Sequence, residues 1–366
     1  MIEHSIFKVF KENTAGEIEK TAAQVWGKPY FEDNYGWCRE MLLERQDVMA
    51  ALGVLKLGMD YGDLMGVERD MIPLVYIARM MPDTIVCLER LGFPEAVIED
   101  SLEDVETWVE VYRKYHGGRC GLERLEWVLR TVAGLVYRLG SFQYERVTYE
   151  FPYHIYRNRN TAEYRALAAP GLWVDQDGYL AGTNGRPCHS RKQTRLVLGA
   201  ESVTGFAVNL EMGVVEMEKL VSLDLREWKL VLAPGMKGMA IHIPAGADLS
   251  DERLRESLLM AGKYLGDETS TVFSMVLCDS WLLDSHLVYL LPEDGRICSF
   301  MKKFYKLPVM ESEPQIFERV MGFDFKREDM ENFHAVTGLQ KNLQNYVLGG
   351  GEVFTTAGFL PLESYL

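Results

Sequence analysis

The sequence predicts an α+β protein in which an all-helical N-terminal domain precedes a mixed β-sheet domain flanked by helices. Three observations lead to this prediction. Apolar residues follow a helical period through the first 139 residues, the period changes to two after Gly140, and strands alternate with helices in the last third. A chain of 366 residues is long for one core, so we place two domains, at residues 1–139 and 140–366.

The N-terminal domain carries helical periodicity in several stretches. These stretches are Ala15–Trp26, Cys38–Leu57, residues 71–92, residues 102–118 and Leu122–Leu139. We expect the third of them to form two helices separated at Pro82, because proline lacks the backbone N–H that a continuing helix needs. We expect the fourth to end at Gly117-Gly118.

The second domain is predicted to begin with short strands. Strand candidates lie at residues 141–151, 194–199, 205–213, 219–225 and 239–244. Asp177-Gly178 and Asn184-Gly185 are typical of turns.

The last third predicts strands separated by helices. Ser250 is a good N-cap for a helix that begins at Asp251, and Asp284 can cap a second helix. Between them, residues 272–283 are apolar and long enough for a central strand. A later helix is expected to end at the three glycines 349–351, and residues 352–362 predict the final strand.

Composition argues against several classes of protein. The net charge of −15 disfavours nucleic acid as a partner, because phosphate binding needs a basic surface. We expect no membrane span and no signal peptide, and therefore a cytoplasmic protein. The six cysteines form no C-x-x-C pair, so reduced thiols are expected in place of disulfides or a zinc site. Asp175 and Asp177 lack the further ligands of a calcium loop, so no metal is predicted.

Several stretches resemble one bacterial family of acyltransferase domain-containing proteins. They are RKYHGGRCGLERLEWVLRTVAGLVYRLGSFQYE, the pair DLREWKLVLAPG and AIHIPAGADLSDERLRESL, and VFSMVLCDSWLLD. Members of that family join an all-helical N-acyltransferase N-terminal domain to a GNAT-like C-terminal domain. The resemblance implies acyl transfer from a coenzyme A thioester to an unidentified amine, both of them small-molecule partners.

The resemblance places the thioester between residues 239–244 and 272–281. The residues expected to bind it are Ile243, Ala245, Gly246, Ala247, Ser250 and Trp281. GNAT enzymes hold the pyrophosphate on a glycine-rich loop at a helix N-terminus. This loop has Gly246 alone, and its carboxylates, Asp248, Asp251 and Glu252, would repel a pyrophosphate. That departure favours an alternative function, a non-catalytic GNAT-fold protein that binds a ligand or a partner.

Four residues are candidates for the chemistry, and each has an alternative role. His242 is the candidate base, and its alternative is a histidine at the edge of the core. Ser280 and Tyr289 are candidate acids, although the apolar residues around Tyr289 favour packing. Cys278 is a candidate nucleophile only if a cation stabilises its thiolate, and its neighbours favour a buried side chain.

A basic run at residues 189–195, with Arg186 just before it, is the last candidate site. It could hold a phosphate or a carboxylate. The alternative is a solvated loop.

Overall fold

A computed structural model describes residues 9–266 and 274–365 of the chain. The chain divides into two compact units, Met1–Glu145 and Arg146–Leu366. The α+β class predicted from the sequence is confirmed, with helices first and a mixed sheet after them. The predicted boundary between residues 139 and 140 stays a prediction.

Helices build most of the first unit. They are α1 (Glu12–Val25), α2 (Pro29–Arg39), α3 (Val48–Leu64), α4 (Ile72–Arg90), α5 (Glu95–Tyr115) and α6 (Leu125–Val132). The helix predicted over Cys38–Leu57 was wrong, because the chain ends one helix and starts another there. Gln46 has a positive φ of 53°, and the Asp47 side chain accepts a hydrogen bond from the backbone N–H of Ala50, which caps α3.

The predicted break at Pro82 was also wrong, since α4 runs through this proline without interruption. Met80, Met81 and Thr84 are buried around it. Packing on both sides of the proline therefore offsets the missing backbone hydrogen bond. The segment Arg69–Arg90 has the length and hydropathy of a membrane span, but 67% of its most apolar window is buried, as expected of a core helix.

The helix predicted over Leu122–Leu139 ends early. Gly134 has a φ of 64°, a conformation that stops a helix, and the chain then forms β1 (Val136–Leu139). This strand pairs antiparallel with β2 (Phe142–Thr148) through a turn at Gly140. Val136, Tyr137 and Leu139 suit a strand because β-branched and aromatic side chains pack well on a sheet.

The second unit contains the remaining strands and helices. The strands are β3 (Tyr153–Asn158), β4 (Tyr164–Ala168), β5 (Trp173–Val174), β6 (Lys192–Gln193), β7 (Leu196–Leu198), β8 (Ser202–Asn209), β9 (Val214–Asp224), β10 (Trp228–Leu232), β11 (Lys237–His242), β12 (Met275–Ser280), β13 (Tyr305–Pro308) and β14 (Thr356–Pro361). The helices are α7 (Asp251–Leu265), α8 (Arg296–Met301) and α9 (Gly338–Leu348). Residues 272 and 273 of the predicted central strand lie outside the described residues.

Two sheets organise most of this unit, and β5 and β6 form a separate two-stranded sheet. The first follows the order β11–β12–β14–β13, in which β11 and β12 are parallel and β14 is antiparallel to both β12 and β13. The second follows the order β10–β3–β4–β8–β7, and β9 also pairs with β8. Leu277, Leu307 and Phe359 of the first sheet share one buried cluster with Tyr153 and Ile155 of the second. Because β11 and β12 are parallel and β14 is antiparallel to both β12 and β13, the carboxyl ends of β11, β12 and β13 lie at one edge of the first sheet.

Candidate active site

The parallel strands β11 and β12 pair over only part of their length. Met239 is opposite Val276 and Ala240 is opposite Leu277, and the pairing then ends. Beyond this point β11 continues to His242, and β12 continues to Ser280. On its other side β12 stays paired with β14 as far as Ser280, opposite Thr356. We refer to the unpaired stretch beyond this point, residues 241–242 of β11 and 278–280 of β12, as the opening.

His242 and Asp279 lie on the same face of this sheet. Paired residues project to one side, so Ala240 and Leu277 share a face, and side chains two positions further return to it. Those side chains are His242 and Asp279. The His242 ring also acts electrostatically on the Asp279 carboxyl.

Asp279 occupies an unusual environment for a carboxylate. Its side chain reaches solvent, yet the surrounding protein desolvates it and raises the pKa of the carboxyl, while His242 acts in the opposite direction. These observations fit a carboxylate in a concave part of the surface. Glu311, three residues after β13, is half-buried, and the pKa of its carboxyl is raised by desolvation and by Asp279.

Two mutually repelling carboxylates and an imidazole therefore lie at this carboxyl edge of the sheet. A cation between Asp279 and Glu311 would relieve their repulsion, and imidazole, the side chain of His242, is the group most often used for proton transfer. His242 was a candidate from the sequence, whereas Asp279 and Glu311 were not. Asp279 was considered only as a neighbour of Cys278, and nothing near Glu311 in the sequence indicates a site.

Cys278 and Ser280 face away from His242. Both are buried, at 2% and 9% exposure, and the Ser280 hydroxyl oxygen accepts the backbone N–H of Leu282. Burial and the adjacent Asp279 raise the pKa of the Cys278 thiol, so a thiolate is strongly disfavoured. The geometry fits the core alternative for Cys278 and does not bring Ser280 to the side chain of His242.

Iodoacetamide should distinguish the cysteines. At neutral pH we expect it to alkylate the exposed Cys87 and Cys188 and to leave Cys278 unmodified, because Cys278 is buried with a raised pKa. Peptide mass spectrometry of the folded protein measures this directly. Rapid, selective modification of Cys278 would contradict the assignment and restore the nucleophile hypothesis.

Two aromatic candidates lie beyond the end of β12. Trp281 is half-buried, and its backbone N–H donates to the Gln315 side chain at 3.3 Å. Tyr289 is 67% exposed and stacks on Tyr346 with ring centroids 5.8 Å apart. Core packing was the role expected from the sequence for Tyr289, and the structure instead places it at the surface.

The loop after β11 forms a tight turn that leads to α7. The Ala247 N–H donates to the Pro244 carbonyl at 3.1 Å, and Gly246 has a φ of 79°, as position three of a type II turn requires. Ala245 and Gly246 are exposed, whereas Ile243, Ala247 and Ser250 are half-buried. Ser250 precedes the first residue of α7, but its side chain makes no capping hydrogen bond.

The carboxylates at the start of α7 have cationic neighbours that lie far away in the sequence. Arg296 Nη1 is 3.8 Å from Asp248 Oδ1, and Lys303 Nζ is 2.7 Å from Asp251 Oδ1. The Ser250 N–H, together with Arg296, lowers the pKa of Asp248. The repulsion expected from the sequence is thus partly compensated, and two cations stand at this helix N-terminus.

Arg186 is fully engaged with carboxylates. It pairs with Asp175 at 3.2 Å, with Asp177 at 2.7 Å and with Glu352 at 2.7 Å. These ion pairs stabilise the turn at residues 175–178. Arg186 is therefore not available to bind a phosphate. Among residues 9–266 and 274–365, no group of three or more histidine, cysteine or acidic side chains is arranged to hold a metal.

Two protein families match the chain. Residues 136–360 match the GNAT-like C-terminal domain, and residues 10–134 match the N-acyltransferase N-terminal domain. The chain belongs to the GNAT-like C-terminal domain family. The resemblance predicted from the sequence is confirmed for both domains of this GNAT-like protein, while its bacterial origin stays a prediction. No curated protein matches the chain at a significant level.

Some solved structures are similar to this GNAT-like chain. An acyltransferase in complex with decanoyl-CoA is 19% identical, with a TM-score of 0.49, over 80% of this chain and 66% of that one. An acyltransferase in complex with CoA and 10C-teicoplanin is 15% identical, with the same TM-score, over 80% and 67%. This chain therefore spans slightly less than two thirds of the length of the first structure.

Proposed function

We propose that this protein transfers an acyl group from a coenzyme A thioester to an amine. The observation that carries the proposal is the opening between β11 and β12, where pairing ends at Ala240 and Leu277 while both strands continue. Membership of the GNAT-like family supports it, as does the description of residues 10–134 as an N-acyltransferase domain. The opening would hold the pantetheine arm, with the thioester near His242 and Asp279.

The acceptor would bind on the face that carries Asp279 and Glu311. The negative charge of one carboxylate makes ionisation of the other less favourable. A protonated amine bound between Asp279 and Glu311 would therefore be stabilised. His242 then accepts a proton so that the neutral amine can attack the thioester carbonyl. Backbone N–H groups beyond the last β11–β12 pair would polarise that carbonyl as negative charge develops on its oxygen.

The coenzyme A phosphates would lie at the start of α7. A helix N-terminus favours anions through its unpaired N–H groups and its dipole. Arg296 and Lys303 would exchange their contacts with Asp248 and Asp251 for the pyrophosphate. Ile243, Ala245, Gly246, Ala247, Ser250 and Trp281 would line the path from the phosphates to the thioester.

The two cations provide a direct test of this binding mode. We expect Arg296→Ala and Lys303→Ala each to raise the Kd for coenzyme A about tenfold, or about 1.4 kcal/mol. Neither substitution should change the binding of pantetheine, which lacks the phosphates. Isothermal titration measures both ligands.

Lys263→Ala is the matched control, because Lys263 is exposed in the last turn of α7, at the opposite end of the helix from the proposed phosphate site. Its Kd for coenzyme A should stay within about twofold of the starting protein, since charges that are exposed and far apart are screened by salt. Equal losses in all three variants would reflect general charge and would contradict the assigned phosphate site.

Thermal melting tests donor binding. Acetyl-, malonyl- and decanoyl-coenzyme A are compared, and a donor at 100 times its Kd should stabilise the protein by about 2.7 kcal/mol. That gain raises Tm by a few degrees. If no thioester shifts Tm at millimolar concentration, the proposal fails, and the non-catalytic alternative then accounts for the fold.

A further inference from the structure

A second histidine–aspartate pair lies just beyond the end of β12. Asp284 is 2% exposed and caps the short helical turn Ser285–Tyr289. Its Oδ1 accepts the backbone N–H of His286 at 3.0 Å and is 2.8 Å from His286 Nδ1. Its Oδ2 accepts the backbone N–H of Phe354 at 2.7 Å. The carboxylate is thereby fixed from three directions.

This arrangement determines which ring nitrogen of His286 is available. An ionised carboxylate only accepts hydrogen bonds, so Nδ1 carries the proton that faces Asp284. Within the described part of the chain, Nε2 has no hydrogen-bond partner. The side chain is 18% exposed, and the Phe354 ring lies 5.2 Å away between centroids. His286 therefore has an oriented, partly exposed ring whose Nε2 is not taken by a hydrogen bond to the described residues.

The pair stands at the carboxyl edge of the same sheet, on the side of β12 that pairs with β14. Asp284 lies four positions after Ser280, the last residue of β12. Phe354 lies two positions before Thr356, the β14 residue that pairs with Ser280. Acyl transfer from a thioester requires two proton movements, one from the amine and one to the departing sulfur. His242 with Asp279 can serve the first, and neither buried Ser280 nor outward-facing Tyr289 is prepared for the second.

The geometry points to His286 as the general acid that protonates the leaving thiolate, with Asp284 as its positioning residue. This inference rests on the proposed function. The acceptor nitrogen bonds to the acyl carbon, the carbon–sulfur bond breaks, and its electron pair stays on sulfur. Sulfur then takes the proton from Nε2 of the His286 imidazolium, while the Asp284 carboxylate keeps its hydrogen bond from Nδ1, and the ring regains a proton from solvent.

The test compares leaving groups that need an acid to different degrees. Acetyl-coenzyme A releases a basic alkyl thiolate, whereas S-phenyl thioacetate releases a much less basic aryl thiolate. Chromatography measures each free thiol in the presence of a panel of primary amines. We expect His286→Gln to slow the alkyl thioester reaction about 10²-fold and the aryl thioester reaction about threefold at most. Added imidazole should restore part of the alkyl rate in His286→Ala.

His334→Gln, on an exposed part of the same unit, is the control and should change neither rate. Equal losses on both thioesters, without rescue by imidazole, would assign His286 a structural role and overturn the inference. If the loss of rate that is selective for the alkyl thioester appears in Tyr289→Phe and not in His286→Gln, Tyr289 is the acid and the inference is also overturned. Absence of any amine-dependent thiol release by the unsubstituted protein would instead refute the proposed function, and this inference with it.

Discussion

Replacing Asp279 with asparagine should lower the rate of acyl transfer about 10²-fold or more, while the protein stays folded and becomes more stable. The loss is expected because the carboxylate faces His242 in the opening and would attract the protonated acceptor. The gain in stability is expected because a desolvated carboxylate beside Glu311 is costly to ionise in the folded state. Amine-dependent release of coenzyme A and thermal melting measure the two effects.

The stability gain should depend on pH in a defined direction. The pKa of Asp279 is raised on folding, so the folded state loses stability as pH rises from the unfolded pKa, about 3.9, through the folded pKa. An asparagine side chain does not ionise, so the Asp279→Asn variant should exceed the starting protein in Tm at pH 7. The difference should vanish below about pH 4, where the carboxyl is protonated in both states.

Asp294→Asn is the matched control, because Asp294 is exposed and lies in a loop of the same unit. It should alter neither the rate nor Tm. A fall in Tm for Asp279→Asn at pH 7 would mean that the carboxylate has stabilising partners. An unchanged transfer rate would remove Asp279 from the site.

Asp284→Ala should cause the largest loss of stability. It removes a buried carboxylate that accepts hydrogen bonds from the backbone N–H groups of His286 and Phe354 and from the His286 ring. One buried and one partly buried N–H group would then lack partners, at a cost of about 3 kcal/mol or more. For a unit of this size we expect Tm to fall by about 6–12 °C, as measured by calorimetry.

Asp284→Asn keeps one acceptor oxygen. Its Tm should fall about half as much as that of Asp284→Ala, since each hydrogen bond contributes separately to stability. Comparable Tm values for Asp284→Ala and the starting protein would contradict the contacts that fix this carboxylate. The His286→Gln variant provides a further comparison, because it keeps the backbone N–H groups and removes only the ring contact.

Local patterns predicted the class of fold and several of its strands. Residues 239–244 were a strand candidate where β11 lies, an apolar run indicated β12, and the Asp284 cap was evident from the residue type and its position. The errors arose where packing outweighed local preference. α4 continues through Pro82 because buried neighbours hold it on both sides, and Val136–Leu139 joins a hairpin because Gly134 ends the helix.

The site was less predictable, because it depends on contacts between distant residues. The partner of His242 follows from the register of Ala240 with Leu277, which no local pattern specifies. The cations near Asp248 and Asp251 come from α8 and the segment after it, so the loop sequence indicated repulsion only. Glu311 reaches Asp279 through the order of strands in the sheet.

The position of a bound donor tests the central claim most directly. A crystal structure of the protein with a coenzyme A thioester should show the pantetheine arm between residues 241–243 and 278–281. The carbonyl should lie on the face that carries His242 and Asp279, with the pyrophosphate at the start of α7. A thioester bound elsewhere, with the opening between β11 and β12 filled by side chains, would contradict the account.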